Sequence, residues 1–439
     1  MLKRFYVKKL FGMFDNEINF KDEGITVIIG RNGCGKTTML NMLSSLFSEN
    51  HSKLLRYEFE YIEVEISGHT LKIEPTEMHY TEDEESIRSL KYTIDSVELD
   101  KYFREDGRIN SSAFWIRNIP NLRRRSSNSF VDIKTGDILT LSEVVDTFFD
   151  ELSDEAKDEI MNIPKEVYEL IRGLNVVLIS TERLKRISRE DEYRRFERVE
   201  KFAVEECSEE LKYSLKNSLS EYANISQKLD EQFPARILKG IKCIKPISIS
   251  ELEDTIQIID DLRKKHIDAG VLEKNSDQGL SIDLKPDELD ETTSAILTLY
   301  YQDMKTKLES LNSISDKIVL FKEMLKSKFG IQKDLLINKE DGIYITQTHN
   351  GDKIELKYLS SGEQHEVVLL YNLIFKGEKE SIILIDEPEI SLNVSWQREY
   401  LNDMKRIVSM NGFSILIATH SPQIINENWE LVESLGEVN

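Results

Sequence analysis

The chain is poor in cysteine, holds few prolines and contains no long apolar run. Its 439 residues include three cysteines, Cys34, Cys207 and Cys243. Their spacing matches neither a metal-binding pair nor a disulfide framework, so a reducing cytoplasm is the expected compartment. No stretch approaches the ~18 consecutive apolar residues that mark a membrane span, and no membrane partner is expected. The basic start, Met1 to Phe14, has no apolar core and no small-residue cleavage site. It reads as a strand and not as a leader. Positive charge is also scarce. Lys and Arg number 58 against 80 Asp and Glu, for a net charge of −22. Such a chain does not coat nucleic acid over its whole surface, although a local basic groove stays open. Internal repeats and low-complexity tracts are absent. What is present is 40% hydrophobic and 31% charged residues, enough for a real core and for long solvated helices. The length suits two or three domains.

The run Ile25 to Ile29 is β-branched, ends at Gly30 and reads as a buried parallel strand. A helix from about Lys36 to Phe47 should follow. Alternating apolar residues between 53 and 75 predict antiparallel strands. The stretch from Asn121 to Ser129 reads as an exposed loop, and Val176 to Ser180 as another buried strand. From about Arg194 the texture becomes helical. Leu211, Leu215, Leu219, Tyr222, Ile225 and Leu229 recur at helical spacing, and Pro234 is expected to break that helix. A second run, Leu297 to Leu325, keeps the spacing for about four heptads, which fits either a short coiled coil or an amphipathic helix of a small bundle. The apolar runs 381–386 and 414–418 return to α/β texture and end in polar residues, where open α/β sheets place their chemistry. The expected layout is a lobe over 1–193, a helical or short coiled-coil insertion over 194–329, and a second lobe over 330–439.

Gly30, Arg31, Asn32, Gly33, Cys34, Gly35, Lys36 and Thr37 fit G-x-x-x-x-G-K-[ST] in full, and Thr38 extends the segment. A strand precedes it and a helix follows. Glycines let successive backbone N–H groups face phosphate oxygens, and the helix N-terminus adds positive potential. Lys36 is expected at the β- and γ-phosphates of ATP, with Thr37 on Mg²⁺ through its hydroxyl. Cys34 reads as a small filler. Further on, Asp386 and Glu387 close a strand before Pro388. Asp386 is suited to hold Mg²⁺, and Glu387 to activate the attacking water.

Leu359, Ser360, Ser361, Gly362, Glu363 and Gln364 open a second helix. This would be a second anion site, redundant unless it serves a nucleotide bound to another subunit. In this segment the chain resembles the ABC-type ATPases, whose signature is Leu-Ser-Gly-Gly-Gln. The departures at Ser361 and Glu363 make it similar to the SMC, RecF and OLD branch. The resemblance implies an α/β, P-loop ATPase head split by a mainly helical insertion, with ATP and Mg²⁺ as cofactors. It also implies trans action of Ser360, Ser361, Gly362 and Glu363, a D-loop ending at Asn393, and His420 as the switch histidine that senses the γ-phosphate. The turn after Ile179 could replace a Q-loop glutamine or be a plain turn. The tail Ile417 to Ile425 and the segment Leu229 to Arg236 look more narrowly like ATPases of bacterial antiviral systems of the Septu and PARIS type.

That resemblance implies self-association through the heads, a separately encoded nuclease effector and a phage-encoded trigger protein. The competing reading is an SMC- or RecF-like repair ATPase acting on DNA. The large insert counts against a transporter subunit. The 19 residues after His420 (439 − 420) leave no room for a second, nuclease domain. Nucleic-acid binding is open. Arg183, Lys185, Arg186, Arg189, Arg194, Arg195 and Arg198 form a basic stretch, but interspersed acids also fit a solvated helix face. Arg123 to Arg125 is a second candidate.

Overall fold

The structure is a computed structural model. It describes residues 2–48, 51–79, 86–99, 103–104, 119, 122–125, 129–132, 138–140, 144, 148, 163–179, 203–240, 248–273 and 290–436. The chain divides into two compact units, Met1–Glu200 with Gly377–Asn439, and Lys201–Lys376. The basic stretch 183–198 and the turn from residue 180 onward lie outside the described residues.

The first unit opens with an antiparallel hairpin, β1 (Leu2–Leu10) and β2 (Phe14–Asn19). The Met1 to Phe14 segment is therefore mostly strand, as read. Next come β3 (Ile25–Ile29) and α1 (Lys36–Leu46). Then follow β4 (Tyr61–Ile66), β5 (His69–His79), β6 (Ser86–Ile94), β7 (Val97–Glu98) and β8 (Phe103–Arg104). Among the described residues β2-β1-β4-β5-β6-β7 form one sheet, with β8 also on β6. β4 shows why the strands form. Ile62, Val64 and Ile66 are buried while Tyr61, Glu63 and Glu65 face outward, the period of two that a sheet with one buried face requires.

Strands β9 (Leu122–Arg124), β10 (Ser129–Asp132) and β11 (Ile138–Thr140) form a small antiparallel sheet. The 121–129 stretch is thus not all loop. Phe130 and Leu122 are buried and anchor a polar segment whose arginines stay exposed. α2 (Lys165–Ile171) leads into β12 (Val176–Ile179). β12 is an outer strand among the described residues and Val177 is 43% exposed, so its apolar run is only half-buried.

The second unit contains α3 (Ala203–Gly240), α4 (Ile249–Ala269), α5 (Glu291–Glu309) and α6 (Asn312–Phe329). α3 runs straight through Pro234, against expectation. Interior proline costs about 3 kcal/mol. Contacts to α5 on both sides of it hold the helix in register. Lys307 donates to Asp230 at 2.6 Å, Phe233 meets Tyr300 edge to face, and Arg236 donates to Asp303 at 2.7 Å. The Leu229 to Arg236 segment is therefore a clamp between two helices.

The long 297–325 periodicity also divides. Helix α5 ends at Glu309 and α6 begins at Asn312, so one apolar stripe serves two helices of a bundle. The break is fixed by His266 on α4. Its Nε2–H donates to the Leu308 carbonyl at 3.0 Å, and its Nδ1 accepts from Ser315 Oγ at 2.7 Å. Leu308 and Leu311 are buried inside the unit. β13 (Lys333–Asn338), β14 (Gly342–Gln347) and β15 (Lys353–Ile354) form an antiparallel sheet, and α7 (Ser361–Tyr371) follows. These elements belong to the unit of the helices, whose boundary falls after Lys376 and not at 329.

The chain then returns to the first unit through β16 (Ile382–Asp386), α8 (Val394–Asn411), β17 (Ser414–Ala418), α9 (Pro422–Ile425) and β18 (Val432–Ser434). The parallel sheet runs β12-β16-β17-β3-β18. Apolar residues of α1, Met39, Leu40, Met42, Leu43 and Leu46, are buried around most of the helix in a core shared by both large sheets. That burial fixes the start of α1 against the end of β3.

Candidate functional site

Register explains the site. Asp386 pairs with Ala418 across β16 and β17, and Ala418 pairs with Ile28 across β17 and β3. Three neighbouring parallel strands therefore end level, and the segments after them line one sheet edge. β17 lies between the other two, so its following residues lie between the glycine-rich loop and the Asp386–Glu387 pair.

The loop after β3 needs glycine at two points. Gly33 and Gly35 have φ of +84° and +97°, and Gly35 is the N-cap of α1. Arg31, Asn32 and Gly33 are exposed, as is Thr37, while Cys34 is buried. A Cβ on Gly30 would come within 2.6 Å of Cys34 Sγ, so the thiol packs beneath the loop as a filler. Asn16, which sequence reasoning missed, braces the loop from β2. Its Nδ2 donates to the Cys34 carbonyl at 2.8 Å, and its Oδ1 accepts from Gly436 N–H at 2.9 Å. A lone asparagine on a strand carries no signal that would have found it.

Lys36 is 95% buried and reaches back over the loop. Its Nζ donates to the carbonyls of Gly30 at 3.0 Å and Arg31 at 3.4 Å. It also stands 3.4 Å from Nδ1 of His420. An ammonium only donates, so this contact requires Nδ1 as acceptor, which leaves Nε2 as the ring N–H. That Nε2 is 3.6 Å from Glu387 Oε1. Glu387 itself has φ +45°, a left-handed conformation for a non-glycine residue at the strand end.

Asp386 accepts a hydrogen bond from the Thr37 hydroxyl. Burial raises its carboxyl above the ordinary value, while Thr37 and Lys36 oppose that shift. Its Oδ1 is buried without a hydrogen-bond partner, as is Oε2 of Glu389. An orphaned carboxylate oxygen beside a Thr hydroxyl fits a divalent cation, which would supply the missing partner. Lys36, Thr37, Asp386, Glu387 and His420 are thus brought together by one sheet edge. Asn393 caps α8, accepting from Trp396 N–H at 3.0 Å.

The signature segment is built in the second unit. Ser360 is the N-cap of α7 and forms a capping box with Glu363. Ser360 N–H and Oγ–H both donate to Glu363 Oε2, at 2.9 and 2.8 Å. Lys333 donates to Glu363 Oε1 at 2.6 Å. Burial alone would raise the Glu363 pKa, but the bonds from Lys333 and Ser360 outweigh it and the carboxyl lies below its ordinary value. Ser361 is exposed and Gly362 half-buried at the same helix start.

The family model described as AAA ATPase domain matches residues 1–425. None of the curated proteins compared matches the sequence. Among solved structures, the SMC head domain from Thermotoga maritima is similar at 12% identity and a TM-score of 0.33, covering 100% of this chain and 95% of that one. The SMC head domain from Pyrococcus furiosus, with an extended coiled coil and bound to the C-terminal domain of ScpA, is similar at 15% identity and a TM-score of 0.34. That match covers 97% of this chain and 90% of that one.

Proposed function

This chain belongs to the AAA ATPase domain family and is an ATP hydrolase, and we propose that it turns over ATP in a head-to-head dimer that gates a separately encoded effector. The observation that carries the catalytic part is the sheet edge where Lys36, His420 and Glu387 follow one another at 3.4 and 3.6 Å. Lys36 exchanges its loop carbonyls for β- and γ-phosphate oxygens. Thr37 and Asp386 are the residues that would hold Mg²⁺, which when bound would neutralise phosphate charge. Glu387 orients the attacking water and takes its proton. His420 Nε2–H, now facing Glu387, is placed to donate to the γ-phosphate. Positioning and charge neutralisation supply most of the rate in phosphoryl transfer, so these parts suffice.

The trans part rests on Ser360, Ser361, Gly362 and Glu363. Glu363 occupies the donors of Ser360, so an incoming phosphate of a second copy displaces that carboxylate toward Lys333. Mixing Ser360→Arg chains with Lys36→Ala chains tests this. A composite dimer keeps one intact site and regains turnover, whereas chains acting alone give only the sum of two inactive variants.

The effector is inferred to be a nuclease in antiphage defence, with a phage protein as trigger. Support comes from the motif resemblance to Septu- and PARIS-type ATPases. No described helix is long and apolar enough to cross a membrane. An ATP-clamped dimer can bias a partner's conformational equilibrium. Co-expression with the neighbouring gene, affinity capture through this chain and a cleavage assay test it. ATP-dependent binding to DNA ends with no captured partner would replace it with the repair reading.

A further inference from the structure

The turn after β16 and the turn after β17 are tied together by the side chains of Glu389 and Gln397. Glu389 Oε1 accepts the backbone N–H of His420 at 2.7 Å. Gln397, on α8, donates from Nε2 to the carbonyls of Leu392 at 3.1 Å and Glu389 at 3.4 Å. Its Oε1 accepts the Ser421 hydroxyl at 2.6 Å. The two links fall on consecutive residues, one at the backbone of His420 and one at the side chain after it. From the opposite side, Thr419 N–H donates to the Ile28 carbonyl at 3.1 Å, and Ala418 accepts from Glu387 N–H at 2.8 Å. The backbone around His420 is therefore held at β3, at Glu387 and at the 388–393 segment. Its imidazole lies 3.4 Å from Lys36 Nζ and 3.6 Å from Glu387 Oε1, so a small displacement of this backbone changes both contacts.

We propose that Glu389 and Gln397 are positioning residues that yoke His420 to the 388–393 segment. Anything that shifts this segment, above all a second copy of the chain, then shifts the imidazole against Lys36 and Glu387. Ile390 and Val394 are 67% and 58% exposed on the same stretch, apolar surface that a second copy would cover. Glu389 holds the His420 backbone through one oxygen only, since its Oε2 is buried without a hydrogen-bond partner. The inference rests on His420 acting at the γ-phosphate.

Steady-state ATP turnover with Mg²⁺, in Glu389→Ala, Glu389→Gln, His420→Ala and the Glu389→Ala/His420→Ala double variant of the full chain, tests it. Glu389→Ala should lower kcat by about 10- to 100-fold while KM for ATP moves less than about two-fold, as expected for a misplaced group that acts late. Glu389→Gln keeps an acceptor oxygen and should stay within about three-fold of the parent. In the His420→Ala background, Glu389→Ala should cost nothing further, because the residue acts through the histidine. Additive losses would overturn the yoke, and so would parental kcat in Glu389→Ala when His420→Ala is impaired. Parental turnover in His420→Ala would instead overturn the γ-phosphate role of His420, and the yoke with it.

Discussion

His51 offers a pH test of how firmly the nucleotide-binding helix is anchored. It begins the turn that follows α1 and is fully buried. Its Nε2–H donates to the carbonyl of Leu46, the last residue of α1, at 2.8 Å. Its Nδ1 stands 2.9 Å from Tyr92 Oη on β6 and accepts that hydroxyl's proton. The helix C-terminus favours an imidazolium by up to ~2 kcal/mol. Burial wins, and the pKa is pushed down from 6.5 to about 4. The unfolded chain therefore takes up a proton before the folded chain does. Stability from the neutral ring is complete above pH 6.5, falls as pH drops, and is exhausted near pH 4. The full loss is about 3 kcal/mol at ~1.4 kcal/mol per unit, and by pH 5 about 2 kcal/mol is gone. Urea unfolding of the parent and of His51→Gln at pH 7.5 and 5 isolates this term, because other titrations are common to both. The gap between them should narrow by about 2 kcal/mol at the lower pH. Parallel curves would show that His51 already carries a proton, or that α1 is not held by it.

Lys36→Ala removes charge-assisted bonds to phosphate and should weaken ATP binding by roughly 30- to 150-fold, read by calorimetry with Mg²⁺. Glu387→Gln should bind ATP as the parent does and lose about 100-fold or more in kcat, read by phosphate release. Gly342→Ala should destabilise the second unit by about 2 kcal/mol or more, read by urea unfolding. Gly342 has φ +70° and its Cβ would lie 2.3 Å from the Ser208 carbonyl oxygen.

What was legible in the sequence is what is set within a few residues. The run Ile25 to Ile29, the glycines at 33 and 35, and the carboxylates closing 382–386 report their own backbone needs, and the structure has strands and a loop there. What depends on distant partners was not legible. Pro234 looks like a stop because its neighbours Asp230, Phe233 and Arg236 reveal nothing of Lys307, Tyr300 and Asp303. The 297–325 stripe looks continuous because the acceptor at Leu308 is closed by a histidine some forty residues earlier, 42 positions away. Strand order is equally silent in the residues themselves: the resemblance alone brought His420 to the phosphate site, and nothing says that Glu389 reaches its N–H.

Ser360 and Glu363 carry two instructions at once. The local one is a helix start: Ser-x-x-Glu satisfies two amide donors reciprocally, and such a cap is worth about 1 kcal/mol. The proposed functional one is an anion site, which a carboxylate at the helix start would oppose. Lys333 reconciles them. It already pairs with Glu363 Oε1 at 2.6 Å, on the oxygen that Ser360 does not use. Under the proposed role the competition would be between the Glu363 carboxylate and a more highly charged γ-phosphate, both accepting from the same Ser360 N–H and hydroxyl. Under the proposed trans reading, a phosphate brought by a second copy would carry more charge than one carboxylate, so the exchange would be favoured on closure. Between closures the cap keeps α7 folded without nucleotide. Glu363, which stands where the resembled signature has glutamine, is therefore a helix stabiliser in this structure, and under the proposed trans role it would have to yield the Ser360 donors while Lys333, thirty positions earlier, remains its partner.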